Sequence, residues 1–147
     1  QAKAEGRPAL PIYLKPKWEG DEYPFQVFTP QALLRCHSQY EQLPWLDEGE
    51  AGQTVTMHPR TAASRNLAAG DEVALYNEEG MVNRRVRFDS TLPQNLLVTA
   101  QGGESPINHL VAKRERRGQR QQNRFRLSGH FYDLYVEMKK IEQGGGR

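Results

Sequence analysis

The chain has 147 residues, 37% of them hydrophobic and 26% charged, with a mean hydropathy of −0.81 and a net charge of +2. This balance predicts one globular domain and excludes a wholly disordered chain, and no apolar stretch is long enough for a membrane span. The single cysteine, Cys36, excludes an internal disulfide or a multi-cysteine metal site within the chain.

The first residues, 1–22, contain several prolines and scattered charges, which predicts an extended arm or linker. A barrel domain is expected over 23–141, with an Arg-rich loop at 113–128 and a flexible tail at 142–147. The chain begins with Gln1 and ends in Gly-Gly-Gly-Arg, so we expect both ends to be cut from a longer protein.

Short β-branched and apolar runs separated by Pro, Gly and Asn predict a mainly β domain with five or six strands. Pro59 suits the first turn of a helix that runs through Asn66, and Asn77–Gly80 is typical of a hairpin turn. The predicted strands are Phe25–Thr29, Thr54–Met57, Glu72–Tyr76, Met81–Phe88, Leu96–Ala100 and Tyr132–Ile141.

The strand Met81–Phe88 alternates, so Val82, Val86 and Phe88 are expected to face a core, with Arg84 on the same parity as an exception to the pattern. The strands lack the regular strand–helix alternation of a parallel doubly wound sheet. Closure into a small β-barrel is favoured, because a closed barrel leaves no strand edge unpaired.

The order of strands and loops resembles the C-terminal molybdopterin-dinucleotide-binding domain of the dimethyl-sulfoxide-reductase family of molybdenum enzymes. The resemblance runs from about Tyr23 to Ile141 and rests on the ordered set rather than on any one motif. The resembling segments are Pro24–Pro30, Leu34–Tyr40, Pro44–Leu46, Met57–Pro59, Ala62–Ala63, Gly70–Val73, Asn77–Gly80, Pro93, Gly102–Gly103, Pro106–Leu110 and Phe131–Glu137.

The resemblance implies a six-stranded double-psi β-barrel with one or two short helices. It also implies a role in holding bis-molybdopterin guanine dinucleotide against upstream domains of the same polypeptide, which supply the molybdenum ligand. On this interpretation the chain is a domain of a prokaryotic oxidoreductase and is not catalytic alone. The substrate stays open among formate, nitrate, sulfoxides and sulfur compounds, as does a location in the cytoplasm or the periplasm.

The loops offer the chemistry that such a cofactor needs. A pyrophosphate favours hydroxyls, N–H groups and a cation, and a guanine or pterin edge suits side-chain amides. The candidate cofactor-binding residues are Thr29, Arg35, His37, Ser38, Asn77, Gln101 and Asn108.

Several candidates have plainer interpretations. His37 and Ser38 could satisfy nearby backbone, and Arg35 could form a surface ion pair. Asn77 could serve its turn, and Asn108 could cap a short helix. Cys36, His58 and His130 have no partner at a metal-ligand or catalytic spacing, so neither a catalytic residue nor a protein metal site is predicted.

The segment 113–126 holds seven Lys or Arg against a single Glu, and the rest of the chain is acidic overall. Such a run is typical of a solvated loop, and its only aromatic residue, Phe125, argues against nucleic acid. Docking to an acidic upstream domain or a partner subunit is the favoured role. The alternative function is a freestanding double-psi barrel that binds a protein or nucleic acid through this loop.

Overall fold

The computed structural model describes residues 22–32, 39, 43, 53–102, 105–111 and 134–142. Six strands of this part form a closed barrel in the order β1-β5-β2-β4-β3-β6. The strands are β1 (Phe25–Phe28), β2 (Thr54–Met57), β3 (Glu72–Asn77), β4 (Gly80–Phe88), β5 (Leu96–Val98) and β6 (Tyr135–Lys140). One α-helix, α1 (Pro59–Ser64), and a 3₁₀ helix (Ile107–Leu110) complete the described elements.

The barrel contains two parallel pairs, β1 with β5 and β2 with β4, and the remaining neighbours are antiparallel. The connections from β1 to β2 and from β4 to β5 each step over one strand, so the two parallel pairs are interleaved. This interleaving confirms the predicted double-psi barrel. No helix in the described residues is long and apolar enough to cross a membrane.

These directions give the barrel two different ends. Strands β1, β3 and β5 finish where β2, β4 and β6 begin, and we call this the loop end. The opposite end, which we call the turn end, carries the α1 connection and the turn from β4 to β5. The long connections from β1 to β2 and from β5 to β6 therefore both begin and finish at the loop end.

Inward-facing apolar side chains fill the barrel, as the alternation predicts. The 3₁₀ helix closes the loop end with Ile107 and Leu110, which are 2% and 0% exposed. Ala62 and Leu67 close the turn end. The barrel interior is formed by Phe25, Val27, Val55, Met57, Val73, Leu75, Val82, Val86, Leu97, Leu134, Val136 and Met138.

Three predicted boundaries move inward by more than one residue. The helix ends at Ser64 because Asn66 takes a left-handed φ of 54° and the Leu67 N–H returns to the Ala62 carbonyl, as in a helix C-cap. Strand β5 ends at Val98, because Pro30, which follows the neighbouring strand β1, has no N–H to continue the ladder. Strand β6 begins at Tyr135, and the three residues predicted before it include two outside the described part.

Strand β4 departs from the predicted core at Phe88 and buries an arginine within it. Phe88 is 40% exposed, because it is the last residue of the strand and lies where the barrel wall ends. Arg84, which the sequence places on the apolar parity as the polar exception, faces inward and is 2% exposed. The alternation of the strand therefore directs the Arg84 side chain into the barrel, although the side chain is charged.

Candidate functional site

The segments that follow the C-terminal ends of β1 and β5 lie side by side at the loop end. Because the two strands are parallel and in register from Gln26 and Leu96 onward, they finish together. The Gln101 amide Nε2 donates to the Thr29 carbonyl at 2.8 Å, and the Gln101 backbone N–H donates to the Pro30 carbonyl at 3.1 Å. Two residues predicted from distant parts of the sequence are thus in direct contact.

The exit of β5 turns sharply after Gln101. Gly102 has a φ of 83°, a conformation that favours glycine. Thr29 is 7% exposed, whereas Gln101 is half-buried. The turn therefore places a partly accessible amide and backbone beside the end of β1.

Asn77 also lies at the loop end, at the turn from β3 to β4, but its side-chain amide is hydrogen-bonded to backbone groups of the protein. Its Nδ2 donates to the carbonyls of Leu110 and Tyr135, at 2.8 and 3.2 Å. Its Oδ1 accepts from the Glu79 N–H at 2.9 Å. At 8% exposure, this amide joins the hairpin to the 3₁₀ helix and β6, a structural role that needs no ligand.

Asn108 lies in the 3₁₀ helix at the loop end, and its side chain is exposed. The N-cap position of this helix is Pro106, so Asn108 does not cap it. The backbone around Asn108 is fixed by the buried Ile107 and Leu110 on either side. An exposed amide on a fixed turn suits contact with a bound group.

Arg35, His37 and Ser38 lie outside the described residues, as does the Arg-rich loop. The connection that carries the three residues is described up to Ala32, at residues 39 and 43, and again from Gln53, and Ala32 and Gln53 both lie next to the loop end. Topology therefore brings Thr29, Asn77, Gln101 and Asn108 to one end of the barrel, where the connection that carries the other three candidates begins and finishes. Their individual roles stay predictions.

The sequence prediction missed Arg84 as a member of this end. Its Nε donates to Thr99 Oγ1 at 3.0 Å, and its Nη1 donates to Gln53 Oε1 at 3.0 Å. Nη1 also donates to the backbone carbonyl of the preceding residue, Asn83, and Nη2 donates to the Ser105 carbonyl, both at 2.7 Å. The available signal was a cationic residue at an inward position of an alternating strand.

Burial lowers the pKa of the Arg84 guanidinium below its ordinary value. Desolvation disfavours the charged form, and the acceptors around this side chain are neutral oxygens. Among the described residues, no carboxylate forms an ion pair with Arg84. The loop end therefore contains a buried positive charge held by dipoles.

An open cleft of about 1060 Å³ runs along the outer side of β4 from the loop end. The outward-facing side chains of Arg85 and Arg87 line the cleft, beside Gln53 and Ser105. Glu72 contributes a carboxylate to the same wall. The described residues contain no group of three or more His, Cys, Asp or Glu side chains that could hold a metal. His58 instead caps α1, where its Nδ1 accepts from the Arg60 N–H at 2.9 Å.

Comparison with known proteins agrees with this architecture. The chain is 32% identical over 82 residues to a putative dimethyl sulfoxide reductase catalytic subunit of Halobacterium salinarum, covering 56% of this chain and 10% of the relative. It is 30% identical over 96 residues to the chlorate reductase alpha subunit of Ideonella dechloratans, covering 61% and 10%. It is 30% identical over 103 residues to a dimethyl sulfoxide/trimethylamine N-oxide reductase of Rhodobacter capsulatus, covering 65% and 12%.

The chain thus spans about a tenth of the length of these curated relatives. Among solved structures, acetylene hydratase from Pelobacter acetylenicus is similar in fold, with a TM-score of 0.72 and 16% identity over 95% of this chain and 22% of that one. The family model described as "Molydopterin dinucleotide binding domain" matches residues 25–128, well over half of the chain. Together with its barrel and the reductases it resembles, this match shows that the chain belongs to the molybdopterin dinucleotide binding domain family.

Proposed function

We propose that this domain binds bis-molybdopterin guanine dinucleotide at the loop end of its barrel and holds it against other domains of a molybdenum oxidoreductase. The observation that carries the proposal is the topology. Thr29, Asn77, Gln101 and Asn108 lie at one end, where the connection with Arg35, His37 and Ser38 also begins and finishes. The family match supports the cofactor class.

The donor set of the loop end fits such a group. Gln101 and Asn108 present side-chain amides, which both donate and accept, as a guanine or pterin edge requires. At the tight turn, Gly102 presents backbone polar groups that no side chain covers. Asn77 contributes differently: it fixes the hairpin and the 3₁₀ helix behind these groups.

When bound, the cofactor supplies a two-electron redox centre at molybdenum. The residues of this chain bind and orient it, and the buried Ile107 and Leu110 of the 3₁₀ helix keep water out of the barrel beneath it. The metal ligand belongs to the upstream domains on this proposal, so catalysis requires them. The names of the relatives, reductases of dimethyl sulfoxide, chlorate and trimethylamine N-oxide, favour oxygen-atom transfer from an oxo compound as the reaction of the whole enzyme.

The test uses the enzyme that contains this chain, purified intact, with molybdenum measured by metal analysis and the nucleotide released by acid identified by mass spectrometry. We expect molybdenum and guanosine monophosphate. A Gln101→Glu variant should lower both contents about tenfold, because an added carboxylate repels the pyrophosphate at close range. Gln101→Leu separates the added charge from the lost bond to Thr29.

Gln94→Glu is the matched control, since Gln94 is exposed at the turn end before β5 and receives the same charge change. It should keep the wild-type content. Wild-type molybdenum and nucleotide in Gln101→Glu would contradict binding at the loop end. Release of another nucleoside monophosphate would contradict the guanine form while leaving the binding site unchanged.

A further inference from the structure

Arg84 is the charged side chain that the barrel buries: the other buried polar residues of the described part are Thr and Asn. Removing a guanidinium from water is costly even when it is hydrogen-bonded. A barrel filled by Val and Leu gains nothing in hydrophobic packing from an arginine at this position. The cost indicates that the hydrogen bonds of Arg84 serve the arrangement of the segments around it.

Those bonds join separate stretches of the chain at the loop end. Gln53 is where the chain returns from the connection that carries His37 and Ser38. Thr99 lies two residues before Gln101, on the exit of β5. Ser105 opens the segment that leads to the 3₁₀ helix. Two of these segments therefore lead to predicted cofactor contacts, Gln101 and Asn108, and the third follows the connection that carries His37 and Ser38.

The base of Arg84 is rigid, because β4 is paired on both sides. Val73 of β3 lies opposite Arg84, and Thr54 of β2 lies opposite its neighbour Arg85. A guanidinium presents its donors in one plane and in fixed directions, so it sets the positions of several acceptors at once. A lysine ammonium is a point charge on a flexible stem and cannot reproduce this geometry.

We propose that Arg84 is a positioning residue that holds three cofactor-facing segments in register, through Gln53, Thr99 and Ser105, without touching the cofactor itself. This inference rests on the proposed function. It assigns a role to the planar shape of the guanidinium rather than to its charge alone.

The experiment compares Arg84→Lys and Arg84→Met in the intact enzyme with Arg85→Met as the matched control. Arg85 is the next residue of the same strand and faces the cleft, and the described structure gives its side chain no hydrogen-bond partner. Molybdenum and released nucleotide are measured over time during dialysis in mild urea, where circular dichroism shows that the fold persists. Both Arg84 variants should lose the cofactor about tenfold faster than wild type, and Arg85→Met should lose it at the wild-type rate.

A second set of variants keeps the test decisive if Arg84→Met does not fold. Thr99→Val and Gln53→Met each remove one acceptor and leave the charge in place, and each should speed cofactor loss about threefold. Leu67→Ala, a core variant at the turn end, controls for general destabilisation and should retain the cofactor as wild type does. Because Leu67→Ala lowers stability without touching the loop end, it separates positioning from a purely structural effect.

Wild-type retention in Arg84→Lys would overturn the inference, because charge alone would then suffice. Equal losses in Arg84→Met and Arg85→Met, or in Arg84→Met and Leu67→Ala, would also overturn it. These outcomes leave the proposed function intact as long as the wild-type enzyme contains the cofactor. A wild-type enzyme without molybdopterin dinucleotide would overturn both.

Discussion

The two ends of the barrel differ in how much local side-chain bonding contributes to them. At the loop end, side chains reach far along the sequence: Gln101 bonds Thr29 across 72 positions, and Asn77 bonds Leu110 across 33. At the turn end, His58 caps α1 and Asp71 accepts from the Ala68 N–H three residues before it. The turn end therefore has local sequence signals beside its long-range contacts, such as Thr61 with the Gln94 carbonyl and Arg65 with Glu137, whereas the loop-end contacts of Gln101 and of Asn77 with Leu110 form only when the barrel closes.

The difference has a functional consequence. A binding site assembled by long-range bonds loses its geometry when any one of the joined segments shifts, even if the barrel stays folded. Ion pairs add to the turn end, where Arg65 contacts Glu137 and Lys140 contacts Asp71. Substitutions at the two ends should thus have comparable effects on folding but different effects on cofactor retention.

The largest effect is expected from Leu110→Ala, which removes most of the buried side chain with which the 3₁₀ helix closes the loop end. Leu110 is fully buried, and a buried Leu→Ala substitution costs about 2–5 kcal/mol. Urea denaturation of the chain measures the loss, and molybdenum content of the intact enzyme measures the effect on the site. Leu67→Ala at the turn end should lower stability similarly without lowering molybdenum content. Equal cofactor loss in the two variants would contradict the distinction between the ends.

The next largest effect is expected from Asn77→Ala. The substitution leaves the Leu110 and Tyr135 carbonyls and the Glu79 N–H without their partner, at a cost of about 1–3 kcal/mol. Urea denaturation measures it, and Glu79→Ala, which removes an exposed side chain in the same turn and keeps the backbone N–H, is the control. An unchanged free energy of unfolding would contradict the structural role of Asn77 and favour the predicted ligand contact instead.

A smaller effect is expected from Gly70→Ala at the turn before β3. Gly70 has a φ of 88°, and a Cβ placed there would meet no atom within 4 Å, so the cost is conformational alone. A left-handed alanine costs about 1–2 kcal/mol, which the midpoint of urea denaturation reports. Gly70→Asn should recover part of the loss, since Asn tolerates this region. A variant as stable as wild type would show that the turn relaxes to another conformation.

The smallest effect is expected from Asp71→Asn, and it depends on pH. The Ala68 N–H and then Lys140 lower the pKa of Asp71 below its ordinary value of 3.8. A lowered pKa in the folded state stabilises the fold above pH 3.8, and this contribution is lost as pH falls further through the folded pKa. Asp71→Asn should lower Tm slightly at pH 7, and the difference should vanish in acid.

Glu79→Gln, which removes an exposed carboxylate from the β3–β4 turn, is the control for this measurement. Its Tm should match the wild type at pH 7. A difference between Asp71→Asn and wild type that persists unchanged below pH 2 would contradict the electrostatic explanation.

Much of the fold could be predicted from the sequence because its signals are local. Alternation placed the inward faces of β4 and β6, Pro59 marked the start of α1, and Asn77–Gly80 formed the expected two-residue turn. The prediction that Phe88 faces the core was wrong, since parity gives direction but not the height at which the barrel wall ends. That height depends on how the strands are staggered.

The candidate site was less predictable for the same reason. Thr29 and Gln101 have ordinary local surroundings in the sequence, and only the parallel pairing of β1 with β5 brings them together. Asn77 was predicted as a ligand contact, but the tertiary structure surrounds its amide with backbone partners. Side-chain chemistry indicates what a residue could bind, whereas its neighbours decide what it does bind.

The sequence by itself determined the strand pattern, the barrel class and the family resemblance, because alternation, turn residues and their order are properties of the chain in one dimension. Only the tertiary structure decided that Thr29, Asn77, Gln101 and Asn108, the candidates in the described part, share one end and that Arg84 joins the segments around it. Closure of the barrel brings residues tens of positions apart within hydrogen-bonding distance, and no local pattern encodes such contacts.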